Sequence, residues 1–365
     1  VISLGGYMSF ITRQGASRAF KFLAIRTGTV AISLIIAVYL TIIVANLGGL
    51  LDQIKILEIS DAVYERIRSD PRFAQYTAEE RKMIAEEMIQ VEIRRLGLDK
   101  PFIVRSFIYL RDALTLNLGR SFNLISNTGS REVRVIIFER LSPTILLFTS
   151  SQLIMFFATL FSGLYLSRHY GSKLDKTIVS LAPMSSIPGW FYGIFLIILF
   201  ASVLKILPYG GMVDAPPPQD KLMYALSVLK HMVLPLTAVF ISGFFIGVYG
   251  NRTYFLIFSM EDYVEMAKAK GLPPRLIERR YILRPALPPI ITGLLLGLIG
   301  SWMGGIITER IFTWPGMGTL MYAAISTNDA PVIIGVATIY AFLLAVTVLA
   351  LDVIYMIVDP RIRYG

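Results

Sequence analysis

Met232–Thr308 reads MVLPLTAVFISGFFIGVYG, then NRTYFLIFSMEDYVEMAKAKGLPPRLIERRYILR, then PALPPIITGLLLGLIGSWMGGIIT. Two apolar runs flank a charged loop. A bilayer core about 30 Å thick needs roughly 20 apolar residues of helix to cross it, and both runs meet that length. Four further stretches qualify: about 27–50, 141–166, 177–204 and 332–358, the last interrupted by a single charge, Asp352. The chain is 55% hydrophobic and 16% charged, with a mean hydropathy of +0.64. A water-soluble domain carries about 25% charged residues, so much of this surface requires lipid. The expected fold is an all-α membrane protein with six transmembrane helices. The first run is longer than the core of a secretory signal, about 7–15 residues, and reads as a retained helix.

Charge fixes the expected orientation. If the N-terminus is cytoplasmic, the inside segments are 1–26, 168–176, 251–284 and 359–365. They hold sixteen basic and six acidic residues, a surplus equal to the whole chain's net charge of +10. The rest of the chain balances. Basic residues gather on the cytoplasmic side of membrane proteins, so the pI near 9.6 is a topology signal and nucleic acid is not needed to explain it. Both termini are expected in the cytoplasm of a cell (plasma or inner) membrane protein. Cysteine is absent, and two distant histidines, His169 and His231, make a histidine metal centre improbable.

Residues 51–140 then lie outside as a helical insertion. Thr77 and Glu80 fit a capping box, in which each side chain satisfies a free backbone N–H of the other. Ile84, Met88 and Val91 follow at helical spacing, Gly97 is a plausible stop and Pro101 lies just beyond.

The loop at 259–289 has the grammar of a short helix with a defined end. Ser259 and Asp262 make an S-x-x-D start. Glu261, Asp262 and Glu265 come early, and Lys268 and Lys270 late, which complements the helix dipole. Gly271 suits a left-handed terminating residue, and Pro273–Pro274 prevents continuation. Tyr263, Met266, Ala267 and Lys270 share one face, and Ala267 and Ala269 keep the helix slim. Periodicity alone also allows a plain interfacial helix.

Glu265-Met266-Ala267, three residues, then Gly271 resembles the EAA-x3-G loop of type I ABC importer permeases, although Met266 replaces the first alanine. The following Arg284-Pro285-Ala286-Leu287-Pro288 resembles the Arg-Asn-Ala-Leu-x-Pro of the dipeptide/oligopeptide (and nickel) branch, with Pro285 for the usual Asn. Leu96–Pro101, Leu118–Ser121, Arg140–Thr144, Leu207–Gly211, Thr308-Glu309, Phe312–Gly318 and the terminal Asp359–Tyr364 resemble the same branch, in order. The match is to the first of its two permeases, the DppB/OppB-like one; segment 51–95 is longer than usual there.

The resemblance implies a MetI-like fold, formed by spans two to six with span one wrapping it. It also implies a coupling helix at 259–271 that docks on an ATPase subunit through Tyr263, Glu265, Met266, Ala267, Ala269, Lys270 and Gly271. The implied partners are a second related permease, two ABC ATPases carrying ATP-Mg, and an extracytoplasmic substrate-binding protein. The chain itself would hold no cofactor or metal and catalyse nothing. Peptides are the implied substrate, with oligosaccharides or nickel as alternatives.

Pro188, Trp190, Trp302, Glu309 and Trp314 are candidate pathway or gate residues. Pro183, Pro188 and Gly189 break span three and Pro235 span four, and broken helices must turn their freed backbone groups to protein or water. Glycines at 293, 297, 300, 304 and 305 make span five slim. Asp352, about two turns from the cytoplasmic end, reads as interfacial, as does His231. No phosphate loop, H-E-x-x-H or G-x-S-x-G occurs, so ATP hydrolysis is expected elsewhere. An ion-coupled secondary transporter would show mid-membrane carboxylates and repeats. An intramembrane enzyme would show convergent polar groups. Neither pattern is found.

Overall fold

The computed structural model describes residues 13–45, 49–302 and 304–358. Among them the chain is helical, with one isolated β-bridge between Arg120 and Glu132. Five helices are long and apolar enough to cross a membrane, and a bent pair makes a sixth if counted as one span. The terminal Asp359–Tyr364 motif and the tail 359–365 lie outside the described residues, as do 1–12 of the N-terminal tail and 46–48 at the end of the first expected span.

Helices α1 (Arg13–Ala45), α2 (Leu50–Ser69), α3 (Ala78–Arg95), α4 (Phe102–Leu114) and α5 (Val133–Arg168) come first. Span two therefore starts eight residues before its apolar run, because Arg134, Glu139 and Arg140 continue the helix beyond the hydrophobic stretch. Span three is not one rod. Helix α6 (Lys173–Ser180) and a 3-10 turn (Ala182–Ser186) meet α7 (Gly189–Leu196), extended by a π-helix (Ile197–Val203), at a bend of 96°. Pro188 stands at that bend in extended conformation; without an N–H it cannot carry a helix through.

Helix α8 (Lys221–Ser259) has 39 residues, about 58 Å at 1.5 Å per residue. That is far more than a hydrocarbon core, so its ends project. After it come α9 (Asp262–Ala269), α10 (Pro274–Ile277) with a π-helix (Glu278–Leu283), and α11 (Arg284–Trp302). Span five ends at Trp302, short of the expected Thr308, because Gly304 turns the backbone left-handed (φ +70) and α12 (Ile306–Ile311) begins afresh. Helices α13 (Met317–Ser326) and α14 (Ala330–Val358) complete the chain.

Two compact units emerge. The second comprises Phe20–Glu139 with Ala323–Ala350. Its core joins Val38 and Ile42 of α1 to Ile59, Val63 and Ile67 of α2, Ala85 and Ile89 of α3, and Tyr109 and Ala113 of α4. The capping box forms: the Thr77 N–H donates to Glu80 Oε2 (2.8 Å) and the Glu80 N–H to Thr77 Oγ1 (3.3 Å). The packed face of α3 is centred on Ala85 and Ile89, with Ile84 and Met88 beside them, whereas Val91 is exposed. Gly97 ends α3 at φ +70. Polar clasps close the unit. Asp52 accepts from the Tyr109 hydroxyl (2.5 Å) and pairs with Arg105 (3.0 Å). Asp329, fully buried, accepts from Ser121 Oγ (2.5 Å) and from the backbone N–H of Asn123 (2.9 Å).

Candidate functional site

The first unit, centred on Arg140–Tyr322, holds every candidate site residue. Glu261 is the N-cap of α9 and its side chain makes no cap bond; Ser259 instead donates its hydroxyl to Leu256 O (2.7 Å) inside α8. The expected S-x-x-D start therefore does not form, because α8 runs on through Ser259. The end is as the glycine implies. Gly271 sits at φ +72, its N–H donates to Lys268 O (2.9 Å), and the Leu272 N–H donates to Ala267 O (3.3 Å). That pair of bonds is a Schellman motif.

Burial sorts the faces of α9. Val264 and Ala267 are buried and pack with Ile277, against which Leu272, Tyr281 and Ile282 also lie. Ala267 thus faces its own chain, a correction to its placement on the docking face. Tyr263, Glu265, Met266, Ala269, Lys270 and Gly271 are exposed. The outward surface joins a thioether, a small alanine, an acid and a base, and a Cβ at Gly271 would meet open space.

Both flanks of α9 are tied to the turn between α5 and α6. Buried Asp175 accepts from Arg252 Nε and from Arg252 Nη2 (2.8 Å), and its Oδ2 also accepts from the Gly171 N–H (2.9 Å). The Arg252 guanidinium lies 5.0 Å from the Tyr170 ring centroid. Arg168 pairs with Glu278, which opens the π-helix after α10. Sequence reasoning missed this brace. Its one available signal was Asp175, the lone acid in an otherwise basic segment.

Glu309 and Trp314 lie sealed in a polar knot, without surface on any open path. Glu309 Oε1 accepts from Thr144 Oγ1 (2.7 Å) and Oε2 from the Thr319 N–H (3.0 Å). Burial pushes its carboxyl above the usual carboxylate range, and bonds from Thr144 and the backbone of Thr319 and Gly318 pull it back. Thr144 Oγ1 also accepts from the Met317 N–H (2.7 Å), and the Trp314 indole donates to Pro143 O (2.9 Å). Gly316 is required here: a Cβ would stand 2.4 Å from Thr144 Oγ1 and 2.5 Å from both Glu309 oxygens. Pro188 and Trp190 lie elsewhere, at the bend and on α7, which packs so tightly that a Cβ on Gly193 would meet Phe312 at 2.8 Å. Trp302 is half-buried at the end of α11, its indole N–H enclosed without an acceptor among the described residues. The five candidates therefore do not form one lining.

The described chain is helical and multi-span, with a short charged helix between two of its spans. Residues 143–364 match the family described as binding-protein-dependent transport system inner membrane component, and the chain belongs to that family. It is the permease component of an ABC importer, a multi-pass inner-membrane protein that works with ATPase and substrate-binding partners. A relative from Escherichia coli, named "Probable D,D-dipeptide transport system permease protein", is 32% identical over 304 residues, covering 77% of this chain and 86% of that protein. A di/tripeptide transport system permease protein of Pseudomonas aeruginosa is 30% identical over 301 residues, covering 78% and 87%. A solved structure of the MetNI methionine ABC transporter in inward-facing conformations is similar with 18% identity and a TM-score of 0.47, covering 61% of this chain and 96% of that one.

Proposed function

We propose that this permease carries short peptides and that the exposed face of α9 is the surface its ATPase partner grips. One observation carries the coupling reading. Helix α9 is packed on its own chain through Val264 and Ala267, while Tyr263, Glu265, Met266, Ala269 and Lys270 are exposed among the described residues. In the proposed assembly this chain pairs with a second, homologous permease, and two ATPases bind ATP-Mg below. An extracytoplasmic binding protein delivers substrate, and both termini are cytoplasmic. Closure of the ATPases on nucleotide would push α9 and switch the pathway between inward and outward access. Peptide as substrate is supported by the names of the relatives; oligosaccharides and nickel are what the test discriminates against.

The test is purification of the tagged chain in mild detergent with its partners, followed by ATPase and uptake assays with peptide-loaded binding protein. A second permease and ATPases should co-purify, and peptide should raise hydrolysis. Glu265→Lys reverses a charge on the exposed face. Gly271→Val places a branched residue at φ +72, a strain of about 1–2 kcal/mol. Both should uncouple hydrolysis from uptake, and normal uptake in both variants would sink the coupling role.

A further inference from the structure

The second unit contains a groove of about 690 Å³ between α2 and the loop 119–131, within the size range of small-ligand sites. Its walls are fixed before any ligand arrives. Glu58 accepts the Arg120 N–H (2.7 Å), and the Ser121 N–H donates to Arg131 O (2.7 Å). The Ser121 hydroxyl is clasped by buried Asp329 (2.5 Å). The charges that face the groove are not used by this scaffold. Asp61, Arg68 and Arg131 have no ion-pair partner among the described residues, and Glu65 reaches Arg120 only at 3.9 Å. Tyr64 and Phe122 add aromatic surface beside them.

We infer that this groove is a holding site for short peptides with free termini, a reading that deepens the proposed peptide transport and rests on it. Asp61, Glu65 and Arg68 are spaced by four and three residues, so they share one face of α2. The sign of charge changes along that face from acid to base, with Arg131 on the opposite wall at the groove. Seven residues from Asp61 to Arg68 span about 10 Å of helix axis. An extended peptide advances about 3.3–3.6 Å per residue, so three residues cover the same distance. The ammonium of a tripeptide can then meet Asp61 while its carboxylate meets Arg68 and Arg131. Both pairs are charge-assisted hydrogen bonds. The polar, two-signed lining suits neither a hydrocarbon tail nor an uncharged sugar. A zwitterionic lipid headgroup shares the charges, but its ammonium and phosphate stand much closer together than Asp61 and Arg68.

The full chain in nanodiscs of phosphatidylglycerol alone is titrated with trialanine by calorimetry. Saturable binding is expected, weakened about tenfold or more by N-acetylation and, separately, by C-terminal amidation. Asp61→Asn should abolish the sensitivity to N-acetylation only. Arg68→Gln with Arg131→Gln should abolish the sensitivity to amidation only. These residues are exposed, so the variants keep the fold. Wild-type chain that binds no trialanine, or binds the doubly capped peptide equally well, overturns the proposal. Loss of trialanine binding when phosphatidylethanolamine is included marks a headgroup site and overturns it as well. Peptide-stimulated hydrolysis by the partnered complex is measured in parallel. If stimulation persists without binding in the groove, only the groove assignment fails; if wild-type complex shows no stimulation, the peptide-transport reading itself fails.

Discussion

Replacing Glu309 by alanine should unlock the knot beneath the 312–318 turn. The carboxylate serves three donors: the Thr144 hydroxyl at 2.7 Å, the Thr319 N–H at 3.0 Å and the Gly318 N–H. Alanine leaves all three without it. The Thr144 hydroxyl can turn to a carbonyl of its own helix, but the two backbone groups cannot move. Each orphaned buried donor costs about 1–3 kcal/mol, so the loss is about 2–6 kcal/mol before the emptied volume is counted. That is a large part of the roughly 5–15 kcal/mol by which a folded domain is stable. Glutamine behaves differently. Its carbonyl can accept from both backbone groups, and its NH2 can donate to Thr144 Oγ1, so the expected cost is within about 1 kcal/mol.

The same substitution tests the raised carboxyl. A carboxyl whose folded pKa lies above its unfolded value contributes stability that is full below the unfolded pKa and is lost as pH rises through the folded one. Wild type should therefore lose stability relative to Glu309→Gln as pH rises from acid across that window. Fully buried Trp314, in the knot itself, is the fluorescence reporter for thermal and detergent unfolding once Trp190 and Trp302 are replaced by Phe. An alanine variant as stable as wild type, or a glutamine variant as damaged as alanine, would refute the reasoning.

The brace offers a second test. Asp175→Asn leaves Arg252 without its carboxylate in a nearly closed site, a loss of about 3–5 kcal/mol, whereas Asp175→Leu with Arg252→Met should recover most of it. Denaturation of the single and double variants reads the difference, and additive losses would show the two residues to be independent. In the second unit, bonds from the Thr77 backbone and hydroxyl hold the Glu80 carboxyl below its ordinary value. Its contribution to α3 is present above the ordinary carboxylate range and lost as pH falls. The protection factors of the first amides of α3, exchange measured against the intrinsic rate at the same pH, should fall on acidification in wild type and be low throughout in Glu80→Ala.

Hydropathy located the five long spans and the bent pair that makes a sixth if counted as one, because burying apolar surface in lipid is decided by composition over some twenty residues. It could not place the ends. Polar Arg134, Glu139 and Arg140 belong to α5, and Lys221–His231 to α8, since helices continue into water wherever nothing breaks them. Breakers were legible: Pro188 at the 96° bend, Gly271 and Gly97 at helix ends, and Thr77–Glu80 at a start all act through their own backbone chemistry. Ala267 was misplaced because an eight-residue helix with alanines on two sides does not declare which side its own protein covers. Glu309 and Trp314 stood in a motif that the sequence marks without saying whether it lines a path or holds a turn. Only the convergence of Thr144, Gly316 and Thr319 on the carboxylate decides for the turn. Arg252–Asp175 joins residues 77 apart, and no local pattern announces such a pair.

The geometry around α9 bears on how a push at its surface could travel. A helix joined by its ends alone would fray or swivel under load. Here Val264 and Ala267 fix it to Ile277, and the Schellman bonds close its end. Asp175 holds α8 ten residues ahead of α9, and Arg168 holds Glu278 behind it. Under the proposed coupling role, load applied to Met266 and Lys270 would reach α8 and the 278–283 segment through ion pairs that share one short turn, 168–175. That segment is a π-helix, a rare form found frequently at functional sites. If the ATPase grips α9 as proposed, both α8 and the 278–283 segment are tied to the same turn and are expected to move with it.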